Sequence, residues 1–116
     1  MRVISGAAKG HRLKSLSRVS IRPTTDLVRG AVFSILRSIA CRWSRELDLY
    51  AGTGALGIEA LSEGGNWADF VEQNPKCCSM IRENLKRTGL EEKAQVHCCS
   101  VDQALARLDE KYDLIF

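Results

Sequence analysis

The residues best suited to chemistry fall in Leu47-Asp48-Leu49-Tyr50-Ala51-Gly52-Thr53-Gly54-Ala55-Leu56-Gly57, with Glu72 and Gln73 downstream. A mostly apolar run enters a glycine-rich turn and leaves it as a helix. Gly52 and Gly54 allow backbone conformations and a closeness of approach that a β-carbon forbids, and the free N–H groups where the helix begins favour an anionic group. Gly52 to Gly57 reads literally as GxGxxG, and Glu72 lies 20 residues past Gly52, so the stretch satisfies the dinucleotide fingerprint. Asp48 weighs against that reading. A carboxylate at a strand end, four residues before the first glycine, is badly placed beside a doubly anionic pyrophosphate. It is well placed to face the ammonium of S-adenosylmethionine, directly or through water. Glu72 can accept both ribose hydroxyls of either cofactor. Two alternatives stay open: a nicotinamide or flavin cofactor, and Asp48 as a carboxylate that merely caps a neighbouring turn.

Further on stands Cys98-Cys99-Ser100-Val101-Asp102. Ser100 or Asp102 could accept from an adenine amino group, and the Val101 N–H could donate to the ring; Asp102 as a helix cap is the equal alternative. The five cysteines, Cys41, Cys77, Cys78, Cys98 and Cys99, have neither zinc-ribbon nor CxxC spacing. Adjacent cysteines rarely bridge each other, so reduced thiols acting as small apolar residues are expected, with no metal and no catalytic role.

A second chemistry lies in the charge distribution. The net charge of +3 divides into +9 over residues 1–45, where Asp26 is the single acid, and −6 over the rest. Such asymmetry commonly marks contact with a polyanion, because each neutralised phosphate releases counterions. A solvated basic surface without a ligand is the plainer alternative. Arg2-Val3-Ile4 and His11-Arg12-Leu13-Lys14 alternate basic and apolar residues at the period of a half-exposed strand, which would project the charges from one face.

These groups need elements to hold them. Val3–Ser5 and Arg12–Leu16 read as short strands of a hairpin turning at Gly6 to Gly10. After Pro23, Thr24 or Thr25 can cap a helix whose apolar positions are Leu27, Val28, Ala31, Val32, Ile35, Leu36 and Ile39, running to about Ala40. Strands are then expected at Glu46–Ala51, Ala68–Glu72, Gln95–Cys98 and from Tyr112 to Phe116. Helices are expected at Gly54–Glu63, from Pro75 (capped by Asn74) to Gly89, and at Asp102–Leu108. Strand-helix alternation of this kind builds a doubly wound α/β sheet. At 116 residues the chain has the length of one small domain. It divides into a basic hairpin and helix at 1–45 and cofactor-binding βαβ units at 46–116. No apolar stretch has the length of a membrane span and no secretory signal is visible, so a cytoplasmic protein is expected.

Taken together, Arg2-Val3-Ile4-Ser5-Gly6, Lys9-Gly10-His11-Arg12-Leu13, Arg22-Pro23-Thr24-Thr25-Asp26-Leu27-Val28-Arg29 and the glycine loop resemble, in order and spacing, the RsmD family of bacterial 16S ribosomal RNA guanine-N2 methyltransferases. The resemblance implies a class I, Rossmann-like methyltransferase sheet that uses S-adenosyl-L-methionine. It implies cofactor contacts from Asp48, Tyr50, Ala51, Gly52, Gly54, Glu72, Gln73, Ser100 and Val101. It implies RNA contacts from Arg2, Lys9, His11, Arg12, Lys14, Arg22 and Thr24, with 16S rRNA or a 30S assembly particle as the partner of a monomer, and no metal. A relative acting on other RNA or DNA is the alternative.

The chain departs from the family in four places. Gly30 stands where Glu is usual, which removes any contact from that position. Ser100 stands where Asp or Asn is usual. Glu46 occupies a strand position normally apolar, which is tolerable only at an exposed strand start. The D/N-P-P-Y/F motif, which in the family follows the strand resembling Tyr112-Asp113-Leu114-Ile115-Phe116 and holds the guanine amino group, does not occur in the 116 residues. The expectation is therefore the N-terminal, cofactor-binding part of a longer enzyme, with no catalytic residue in 1–116 and only RNA or cofactor binding by this part alone.

Overall fold

A computed structural model describes residues 1–15 and 24–116. The chain forms α1 (Asp26–Ser38), β1 (Arg45–Leu49), α2 (Ala55–Ser62), β2 (Trp67–Glu72), α3 (Pro75–Arg87), a 3-10 turn (Glu91–Lys93), β3 (Ala94–Cys98), α4 (Val101–Arg107) and β4 (Leu114–Ile115). The four strands make one sheet in the order β3-β2-β1-β4, every pair parallel. This is the doubly wound α/β architecture the alternation predicts. The order reverses between β1 and β4, and ligands of open parallel sheets bind beyond the C-terminal strand ends at such a switch point.

Local chemistry sets the helix ends. Thr25 caps α1, its hydroxyl accepting from the Val28 N–H at 3.2 Å. Asn74 caps α3 through the Lys76 N–H with Pro75 at the first position, where a missing N–H costs nothing. Gly89, with φ of 72°, ends α3 in the left-handed turn that a β-carbon disfavours. The cap of α4 is Ser100 rather than Asp102: Ser100 Oγ accepts from the Gln103 N–H while Gln103 Oε1 accepts from the Ser100 N–H, both at 3.1 Å.

The main core lies on the α2 and α3 face, where Ile58, Leu61, Phe70, Ile81 and Leu85 pack with Val3, Ala8 and Leu13 of the N-terminal segment. That segment lies across the outer side of α2 and explains why seven of its eight residues are buried. Glu59, 1% exposed, accepts from the Ile4 and Ser5 N–H groups at 2.9 and 3.0 Å, and Ser62 Oγ accepts from the Ala8 N–H at 2.9 Å. The sequence pattern predicts two strands here. The described part holds a single antiparallel bridge, Arg2 with Arg12, because side chains of α2 take N–H groups that a ladder would have used. On the opposite face Leu47, Val71 and Ala104 form a smaller core. Asp69 pins this side, accepting from Tyr112 Oη at 2.7 Å and bonded to His97 Nε2 at 2.8 Å.

Two expectations about burial are overturned. Most of the predicted apolar stripe of α1 faces outward: Leu27, Val28, Ile35 and Ile39 are exposed, Val32 and Leu36 are half-buried, and the residues the helix buries fully are Arg29 and Phe33. Helical spacing identifies an apolar face without saying which face meets the sheet. Phe33 packs between Trp43 and Phe116, with ring centroids 5.9 and 5.7 Å away. Glu46 is not at an exposed strand start; it is fully buried. Its register partners Ala68 and Leu114 place strands on both sides of it, and Gly65 closes over its carboxyl, where a β-carbon would meet Oε2 at 3.1 Å. Neither Glu46 oxygen has a hydrogen-bond partner among the described residues. Burial first, and the neighbouring Asp48 second, push its carboxyl up to about 9.

Candidate functional site

The turn after β1 is built by backbone geometry that few sequences tolerate. Tyr50 has φ of 51°, followed by Gly52 at 59° and Gly54 at 80°. For Tyr50 that conformation costs energy of order 1 kcal/mol, and its ring projects outward, 78% exposed. The strain is held by bonds on both flanks: the Leu49 N–H donates to the Phe116 carbonyl and the Ala51 N–H to the Val71 carbonyl, each at 3.0 Å. Gly54 begins α2, and a β-carbon there would sit 3.1 Å from Ile81 Cγ2.

Gly57 explains how α2 can lie so close to the sheet. A β-carbon at this position would stand 2.4 Å from Phe70 Cε1 and 3.1 Å from Asp48 Oδ2. Its absence lets the Gly57 N–H donate to Asp48 Oδ2 at 3.0 Å. Asp48 is 2% exposed and stands at the floor of a cavity of about 100 Å³ lined also by Thr24, Tyr50, Gly52 and Phe116. Burial raises its carboxyl to about 7; the Gly57 N–H opposes that shift and the nearby Glu72 charge adds to it. A buried acid whose charge its surroundings oppose is suited to receive a cationic group, which would draw it into the ionised form.

Glu72 stands at the end of β2. Its Oε1 accepts from the Gly52 N–H and its Oε2 from the Asn74 N–H, both at 2.9 Å. Each oxygen has one bond and room for another, so the carboxylate is oriented by the backbone and can still accept from two hydroxyls. A second cavity, about 60 Å³, is lined by Tyr50, Val71, Glu72, Gln73, Cys99 and Val101. Tyr50 lines both, so the two are halves of one groove along the C-terminal strand ends, with Asp48 at one end and Val101 at the other.

The structure therefore brings together Asp48, Tyr50, Ala51, Gly52, Glu72, Gln73 and Val101. Gly54 shapes the turn without lining the groove, and Ser100 uses its hydroxyl as the α4 cap. Of the residues expected to face RNA, Arg2, Lys9, His11 and Arg12 are exposed along the hairpin. Lys14 is exposed but paired with Glu83 at 2.8 Å. Thr24 lines the groove beside Asp48. Arg22 lies outside the described residues. The hairpin end abuts the glycine loop, Thr53 Oγ1 reaching Met1 Sδ at 3.8 Å. A larger cavity of about 340 Å³, lined by Arg37, Cys41, Arg42, Trp43, Glu63 and Gly64, holds none of the expected residues.

Sequence reasoning missed Asn84. Fully buried on α3, it accepts from the Lys14 N–H at 2.7 Å and donates to the Lys14 and Thr53 carbonyls at 3.1 and 3.0 Å, tying hairpin, helix and glycine loop together. The available signal was an amide on the apolar face of an amphipathic helix, beside Met80, Ile81 and Leu85.

Residues 1–116 match the family described as conserved hypothetical protein 95. The chain is 43% identical over 105 residues to a Bacillus subtilis protein named "Putative rRNA methyltransferase YlbH", covering 90% of this chain and 56% of that protein. It is 30% identical over 114 residues to the "Ribosomal RNA small subunit methyltransferase D" of Buchnera aphidicola, covering 98% and 59%. A hypothetical protein of Thermus thermophilus superposes with a TM-score of 0.86 at 38% identity, over 100% of this chain and 67% of that one. The chain thus spans somewhat over half the length of these two curated relatives.

Proposed function

The chain belongs to the RsmD family, described as conserved hypothetical protein 95, and from that premise we propose that it binds S-adenosylmethionine and serves methyl transfer to the exocyclic N2 of a guanine in 16S rRNA. The observation that carries the cofactor reading is the placement of two carboxylates at the glycine turn: Asp48 buried at its floor and Glu72 held by the Gly52 N–H on one oxygen and the Asn74 N–H on the other. Acceptors so placed fit an ammonium and a ribose diol, and they oppose a pyrophosphate on electrostatic grounds. When bound, the cofactor supplies an electrophilic methyl group on sulfur.

Each residue then has a role in this reading. Asp48 holds the ammonium, Gly52 and Gly54 let the backbone approach, Glu72 takes the ribose hydroxyls, and Gln73 and Val101 border the adenine. Thr24 and Tyr50 wall the cofactor's methionine end. Residues 1–45 are the RNA-facing part and 46–116 the cofactor-binding part, with the exposed Arg2, Lys9, His11 and Arg12 toward phosphates. We assign no catalytic residue to residues 1–116. The partner is 16S rRNA or a small-subunit assembly particle, met in the cytoplasm by a monomer.

Calorimetry tests the cofactor. S-adenosylhomocysteine is expected to bind, and Asp48→Asn to weaken it roughly 10- to 100-fold, the equivalent of the 1.5–3 kcal/mol typical of a hydrogen bond to a charged group. Binding of NAD with no heat from S-adenosylhomocysteine would sink the assignment.

A further inference from the structure

Cys78 and Cys98 are far apart in sequence and meet in the fold. Cys78 lies in the first turn of α3, fully buried, its Sγ donating to the Glu72 carbonyl at 3.1 Å. Cys98 ends β3, an edge strand of the sheet, and its register partner on β2 is the same Glu72. It is exposed, contrary to the expectation that all five thiols serve as small apolar residues. Ala94 and Val96 pack into the core beneath α3, so strand alternation turns Cys98 to that face as well. The next residue, Cys99, packs with Leu47, Val71 and Ala104 on the opposite face. The two cysteines thus converge on one carbonyl, that of Glu72, which accepts from Cys78 Sγ and from the N–H of the residue after Cys98; burial first and the neighbouring Cys98 second push the Cys78 thiol up to about 12.

We propose that Cys78 and Cys98 form an oxidisable pair, converted by a low-molecular-weight disulfide into an intramolecular disulfide that clamps the start of α3 to the end of β3. The Cys98 thiolate attacks one sulfur of the small disulfide, forming a mixed disulfide and expelling one thiolate. Cys78 then loses its proton to solvent and attacks the Cys98 sulfur, expelling the second thiolate. Two protein thiols are oxidised by two electrons and one small disulfide is reduced to two thiols. The protonated, buried Cys78 makes the second exchange the slower one, and the placement of both residues at the Glu72 carbonyl makes it intramolecular. The bond forms beside Glu72, whose carbonyl receives both Cys78 Sγ and the Cys99 N–H, so it stiffens one wall of the groove independently of which cofactor binds there.

The test equilibrates the chain with oxidised and reduced glutathione, blocks free thiols, digests it with trypsin without reduction and identifies linked peptides by mass spectrometry. The unsubstituted chain and a Cys41→Ala, Cys77→Ala, Cys99→Ala variant are run together. The expected dominant oxidised species joins residues 77–82 to residues 94–107, two hydrogens lighter than the separate peptides, with fragmentation placing the bond at Cys78 and Cys98. Cys98→Ser, a change at an exposed position, removes it, and dithiothreitol reverses it. Glutathione remaining on Cys98 at equilibrium while Cys78 is still alkylated would overturn the proposal, as would a link through Cys77 or Cys99 in the unsubstituted chain.

Discussion

Replacing Glu46 by Gln should flatten the fall in stability of this chain between pH 5 and pH 8. In the folded state the carboxyl is protonated up to about pH 9, because burial and the adjacent Asp48 oppose its charge and no described residue pairs with it. In the unfolded chain it ionises near its ordinary value of 4.5. Between those limits the folded state binds one proton more than the unfolded state, so stability declines as pH rises. Each unit of pH costs about 1.4 kcal/mol, which amounts to about 3 kcal/mol lost by pH 7 relative to the acid limit. For a domain of this size that corresponds to roughly 10 °C in melting temperature. Gln keeps the shape and cannot ionise, although its buried amide needs partners and lowers the curve as a whole by about 1–2 kcal/mol. Asp48, raised in the same direction, contributes a decline below pH 7 to both proteins and cancels in the comparison. The assay is thermal unfolding followed by circular dichroism at half-unit steps of pH. The wild-type melting temperature should fall relative to Glu46→Gln as pH rises. Parallel curves would refute the reasoning and show that the carboxyl finds a partner or reaches water.

Cofactor binding should depend on pH through Asp48: the dissociation constant of S-adenosylhomocysteine, measured by calorimetry, should fall up to about tenfold per unit as pH approaches 7 and then level off, and Asp48→Asn should abolish the dependence. Gly57→Ala places a β-carbon against the Phe70 ring and the Asp48 carboxylate, and should lower stability by about 1–3 kcal/mol in thermal or urea unfolding. Arg12→Ala should reduce the salt dependence of RNA binding, measured by filter retention, by close to one counterion. Lys14→Ala should do less, since Lys14 must first leave Glu83.

Much of the candidate site is legible without coordinates. The run from Asp48 to Gly57, with Glu72 beyond it, already places two carboxylates around a turn, and the backbone at positions 52 and 54 has the positive φ that favours glycine. The helix starts at Thr25 and Asn74 are readable because a cap bonds to an N–H two or three residues away. The α4 cap falls between two residues that are both competent; Gln103 decides it by closing a reciprocal pair with Ser100. Glu46, Asn84 and the outward face of α1 are not readable in the same way. A carboxylate one residue into a strand looks tolerable until the strands carrying Ala68 and Leu114 are known to flank it.

The amino-acid sequence by itself determined the order of strands and helices from Asp26 onward, the glycine turn, the caps of α1 and α3 and the division of charge, because each rests on residue types and on forces acting between residues close along the chain. Only the tertiary structure decided which polar groups are sealed away from water. It lays the hairpin on Glu59 and Ser62, threads Asn84 through three segments, strands Glu46 without a described partner and brings Cys78 and Cys98 to the same Glu72. Most of those contacts join residues 20 to 70 positions apart. Their cost or gain depends on the dielectric and the partners that distant segments supply, and no local pattern carries that information.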